Sequence, residues 1–121
     1  MSSPPARFRL RLVFDGHGMI GPGKAELLGR IDDTGSIAAA GRAMGMSYKR
    51  AWLLVETLNA MFREPVVESA RGGPRGGGAR LTDTGRAVLA AYLEAVSAAE
   101  SAGAGPADRI AGMLRDMADG K

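Results

Sequence analysis

Between Ser36 and Asn59 the chain sets two helix-starting serines around one turn glycine, at spacings that leave little structural freedom. Ser36 precedes Ile37–Met44 and can accept from the first free N–H groups of a short helix. Gly45 stops that helix. Met46 follows, and Ser47 caps the next one, which runs to about Phe62. Apolar residues at 51, 54, 55, 58, 61 and 62 give it one broad stripe to bury. Two short helices that cross steeply need a small residue at the crossing and a glycine of positive φ at the turn. Ala40 and Gly41 supply the first and Gly45 the second, while Met44, Met46, Ala51 and Leu54 flank the turn as anchors. The spacing predicts a helix-turn-helix over about 36–62.

The flanking sequence completes the element order. Residues 7–14 alternate basic and apolar, which predicts a strand with Phe8, Leu10 and Leu12 on one face. Asp15-Gly-His-Gly18 breaks it, and a helix starts near Pro22 and ends at Asp32-Asp-Thr-Gly35. Beyond the helix-turn-helix, Pro65 enforces extension and Val66-Val67-Glu68-Ser69 reads as a strand. Residues 71–78 hold five of the 18 glycines and read as a hairpin tip, with Ala79-Arg80-Leu81 returning. Thr82 caps a long helix from Asp83 to about Ala102. Gly103-Ala-Gly-Pro106 reads as a break, before a final amphipathic helix over about 107–118 with Ile110, Met113, Leu114 and Met117. The order is that of a winged helix-turn-helix. The expected fold is mainly α, with a small β wing over about 66–82, an N-terminal strand and a long C-terminal helix, all in one domain of 121 residues.

Composition removes most other classes. With 45% apolar and 24% charged residues the chain can bury a core. The lack of cysteine excludes thiol catalysis and cysteine-based metal sites, and one histidine, His17, leaves no His-rich site. Neither a membrane-spanning run nor a secretory leader is legible, so a cytoplasmic protein without a membrane partner is expected. The net charge of +3 is unevenly spread. Residues 42–86 carry eight basic and four acidic residues, whereas 87–121 carry three and five. The basic part faces a polyanion on this reading.

That part includes the first turn of the second helix of the pair. Ser47, Tyr48, Lys49 and Arg50 stand where a reading helix meets base edges in the major groove. Lysine and arginine can donate to guanine O6 and N7, while Ser36, Ser47 and Tyr48 suit phosphates or bases. Trp52 lies beside the buried stripe and divides between packing and DNA contact; Leu53 faces outward, toward a thymine methyl. Arg71 and Arg75 at the tip, with Arg80 at its base, would reach phosphates or the minor groove. A competing use of the Arg/Gly tip is an RNA- or protein-interaction module without promoter specificity.

An enzyme is not expected. Gly18-Met-Ile-Gly-Pro-Gly23-Lys24 matches a phosphate loop, but Ala25 stands where Ser or Thr must hold Mg²⁺. No βαβ succession follows, and Pro22-Gly23 reads better as a helix start.

The run Thr34-Gly35-Ser36-Ile37-Ala-Ala-Ala40, Met46-Ser-Tyr-Lys-Arg-Ala-Trp52, Pro65-Val-Val-Glu68, the glycine tip and Leu81-Thr82-x-x-Gly85 resembles the DNA-binding domain of ModE-type molybdate-responsive regulators, and more loosely that of LysR-type regulators. The resemblance covers roughly residues 20–100. It implies a dimer that binds double-stranded operator DNA and controls genes of molybdate uptake or molybdoenzymes. Longer members carry C-terminal molybdate-binding modules, and the about 19 residues after Ala102 are expected to hold none. No cofactor is expected, and no ligand motif supports molybdate as an effector. Constitutive action, oxyanion binding at the dimer interface and pairing with a longer family member stay open. The homodimer is expected on the long helix, whose stripe of Val88, Leu89, Tyr92, Leu93 and Val96 is wide enough for core and partner.

Overall fold

The computed structural model describes residues 5–70 and 78–115. Its elements are β1 (Leu12–Phe14), β2 (Gly18–Ile20), α1 (Pro22–Thr34), α2 (Ile37–Ala43), α3 (Tyr48–Met61), β3 (Val67–Ala70), β4 (Gly78–Leu81) and α4 (Asp83–Ala111). Among the described residues, four helices and two antiparallel strand pairs form a winged helix-turn-helix.

The core forms around α1. Leu27, Leu28 and Ile31 are fully buried, as helical spacing on one face requires. Against them pack Ala40 of α2, Ala51, Val55 and Leu58 of α3, Val66 and Val67 before and in β3, Ala79 and Leu81 of β4, and Tyr92 of α4. The helix starts are those expected. Pro22 opens α1, Ser36 Oγ accepts from Ala39 N, Ser47 Oγ from Arg50 N, and Thr82 Oγ1 from Gly85 N. The wing strands pair Val67 with Leu81 through Ala70 with Gly78. Gly35, at φ +72°, ends α1, and its carbonyl accepts from Ala79 N at 2.9 Å, tying the α1–α2 turn to β4.

Two expectations need correction. The strand predicted over 7–14 is regular only from Leu12 to Phe14, where it pairs with β2, a strand hidden in the glycine-bearing stretch after the turn. Among the described residues no strand pairs with 7–11, and their apolar side docks on α4 instead. Phe8, Leu10 and Leu12 are partly buried while Arg7, Arg9 and Arg11 are exposed, so the face assignment holds. Tyr92 Oη donates to the Leu10 carbonyl at 2.6 Å.

The second correction concerns the break at Gly103–Pro106. α4 runs through it to Ala111, and no separate helix forms over 107–115; Met117 lies outside the described residues. Gly103 is a packing position. A Cβ there would lie 2.7 Å from the Phe8 ring, so the glycine lets the N-terminal segment close on the helix. Pro106 faces solvent. The carbonyl of Ala102 loses its N–H partner, but Ala102 is exposed and water can take that place.

Candidate nucleic-acid interface

The geometry of the α2–α3 pair comes from two glycines with different duties. Gly45 takes φ +73°, a conformation that L side chains rarely adopt. Around it Met44 N donates to Ala40 O and Met46 N to Gly41 O at 2.9 Å, so the turn closes its own helix end. A Cβ at Gly41 would lie 2.9 Å from the Ala51 Cβ. The missing methyl sets how closely the helices cross.

Once Ala51, Val55 and Leu58 are committed to the core, the opposite face of α3 is fixed by helical periodicity. Tyr48 (57% exposed), Trp52 (41%) and Leu53 (49%) lie on it with exposed Lys49 and Arg50. Trp52 is thus partly packed and partly turned to solvent. Glu56 is also exposed. Ser36 and Ser47 stand at the starts of α2 and α3 with their hydroxyl oxygens engaged as caps, which leaves each O–H free to donate outward.

Tyr48, Trp52, Glu56 and Asn59 line one wall of a groove of about 400 Å³, and Ser69, Gly78 and Ala79 of the wing line the other. At the wing base, Arg80 Nε donates to Glu68 Oε2 at 2.9 Å, across the hairpin from its register partner. Both side chains are about half exposed, so this pair stabilises little and leaves the other guanidinium donors available. Arg71 and Arg75 lie outside the described residues. The stretch resembling a phosphate loop is divided between β2 and the start of α1, and Lys24 Nζ donates to the Met19 carbonyl at 2.9 Å. Among the described residues, no group of His, Asp and Glu is arranged to hold a metal ion.

No protein-family model matches the chain. Individual proteins do. It is 42% identical over 92 residues to the molybdenum-pterin-binding protein MopA of Rhodobacter capsulatus, covering 76% of this chain and 35% of that protein. It is 36% identical over 97 residues to the molybdenum transport protein ModE of Azotobacter vinelandii, covering 80% of this chain and 34% of that one. The chain belongs to the ModE family. The DNA-binding transcriptional dual regulator ModE of Escherichia coli K12 is 38% identical over 71 residues, 59% of this chain and 27% of that protein. The chain thus spans about a third of the length of these ModE-family relatives.

Asn59 has no signature in the hydrophobic pattern. It sits in the last turn of α3, and its Oδ1 accepts from Val66 N (2.7 Å) and Val67 N (3.1 Å) while Nδ2 donates to Val67 O (3.2 Å). The one signal in the sequence is an asparagine near a helix end, six residues before Pro65, where an amide can bond to free backbone. Of the stripe read for a dimer, Tyr92 is buried and bonded within the chain. Val88, Leu89 and Val96 are partly buried on the core, and Leu93 is 54% exposed.

Proposed function

We propose that this chain reads double-stranded operator DNA as a transcriptional regulator of molybdate uptake or molybdoenzyme genes, working as a cytoplasmic homodimer rather than as an enzyme. One observation carries the reading. The outer face of α3 presents Tyr48, Lys49, Arg50, Trp52 and Leu53 together, on a helix whose inner face is wholly used by the core. Lys49 and Arg50 sit in the first turn, beside the positive end of the helix dipole, where a polyanion relieves the local repulsion. They donate to base edges or phosphates, and the apolar members contact thymine methyls and sugars. Arg80, with Arg71 and Arg75, adds phosphate contacts from the wing; the ModE-family relatives named for transcription support the same role.

The homodimer is proposed on α4. Leu93, with partly buried Leu89 and Val96, lines a groove of about 630 Å³ between α4, α1 and the N-terminal segment. A second copy seated there would put two reading helices on half-sites about 34 Å, or a multiple, apart.

The test is selection of duplexes from a random pool by the full chain, followed by binding measured against salt and sedimentation at micromolar concentration, with and without molybdate. Enrichment of a pseudo-palindrome is expected. Lys49→Ala and Arg50→Ala should each lose about 1–3 kcal/mol of binding, with relaxed preference at one base pair. A pool that returns no preferred duplex, or equal binding to single-stranded RNA, overturns the reading.

A further inference from the structure

Residues 62–66 join the reading helix to the wing and belong to neither helix nor strand. Backbone pairing therefore does not set the angle between α3 and β3. The ladder leaves a gap at the same place. Thr82 N donates to the Val66 carbonyl at 3.0 Å, so positions 66 and 82 face each other through a hydrogen bond. By the alternation of an antiparallel pair, Val67 and Leu81 do not. The N–H and C=O of Val67 thus point away from β4, in a residue only 5% exposed.

Asn59 meets both of them, and the buried Val66 N–H as well. Its amide has the composition these groups require: one oxygen with two lone pairs for two donors, and an N–H for one carbonyl. Aspartate would set a carboxylate oxygen against the Val67 carbonyl, and leucine would leave all three groups unmet. The same short segment also receives α4. Thr82 Oγ1 donates to the Pro65 carbonyl at 2.6 Å, and a Cβ at Gly85 would run into the Val66 carbonyl oxygen. Reading helix, wing and long helix all meet on residues 65–67.

We infer that Asn59 is a positioning residue for DNA recognition, holding the wing against the reading helix so that Arg80 and the first turn of α3 engage one duplex together. The inference rests on the DNA-reading proposal. Asn59 need not touch DNA to do this, because its oxygen and one N–H already hold the backbone of Val66 and Val67.

The experiment uses the full chain and a duplex that the wild-type protein has enriched from a random pool. Asn59→Ala should speed hydrogen exchange at the Val66 and Val67 amides. It should also lower the salt slope by about 0.9 for each phosphate that the wing no longer neutralises, about fivefold in affinity per phosphate at 0.15 M salt. Preference among duplexes altered at bases read by α3 should persist. A double-mutant cycle with Arg80→Ala is the decisive arm. If Asn59 acts through the wing, its substitution costs less when the Arg80 cation at the wing base is already gone. Circular dichroism melting checks the fold. If Asn59→Ala melts below the working temperature, Asn59→Asp takes its place: it keeps acceptors for both N–H groups but sets a carboxylate oxygen against the Val67 carbonyl, so the salt slope should still fall while exchange at the two amides stays slow. Additive effects in the cycle, or an unchanged slope in a folded variant, overturn the inference while DNA reading stands. Failure of the wild-type chain to select any duplex overturns both.

Discussion

The turn at Gly45 and the stretch around Gly103 are both glycine-bearing and both lie beside apolar residues, yet one reverses the chain and the other lets a helix continue. At Gly45 the absent side chain is a matter of torsion. φ is +73°, and nothing lies within 4 Å of where a Cβ would be. At Gly103 the backbone is helical and the absent side chain is a matter of room, filled by the Phe8 ring. Glycine at a turn offers freedom; glycine in a helix costs freedom and is retained where another group must come close. The surroundings decide which. Met44 and Met46 anchor the chain on both sides of Gly45, whereas alanines at 98, 99, 102, 104 and 107 favour helix around Gly103.

Three substitutions sharpen or break this contrast. The largest effect is expected at Pro106. If α4 is continuous there, Pro106→Ala restores an N–H and removes a ring clash, and should stabilise the protein by about 2 kcal/mol in urea unfolding. A neutral or destabilising result would mean that the helix ends before Pro106. Next comes Gly45→Ala, which forces an alanine into positive φ and should cost about 1–2 kcal/mol; Gly45→Asn should recover part of the loss. Equal stability of all three forms would remove the torsional account of the turn. The smallest effect is a change of sign. Gly103→Ala should be near neutral or destabilising in the wild-type chain, yet stabilise a Phe8→Ala background by about 0.5–1 kcal/mol through helix propensity alone. The same outcome in both backgrounds would show that Phe8 does not use the space.

The parts of the fold legible in the sequence are those written in short-range terms. Ser36, Ser47 and Thr82 cap the helices they precede, and Gly41 and Gly45 do the crossing and the turn. The stripe of α3 is inward where its period puts it, which leaves Tyr48, Lys49, Arg50, Trp52 and Leu53 outward. What escaped depends on partners far along the chain. Gly103 looks like a breaker until Phe8 is known to lie on it. β2 is three residues long and begins with glycine, so only its pairing with β1 marks it as a strand. Asn59 has no periodicity at all, and its role exists only because the wing ladder turns the polar groups of Val67 toward it.

The hydrogen bond from Tyr92 to the Leu10 carbonyl joins residues 82 positions apart. During synthesis at roughly 5–20 residues per second, Leu10 waits about 4–16 s before Tyr92 is even made. In that interval Phe8 and Leu10 have no long helix to lie on, and the alternating arginines keep the waiting segment hydrated and self-repelling. The order of birth therefore runs from the helix-turn-helix outward. The α1–α3 core and the wing can close first, and the N-terminal segment is stitched down last, by an element that arrives when the rest is already folded.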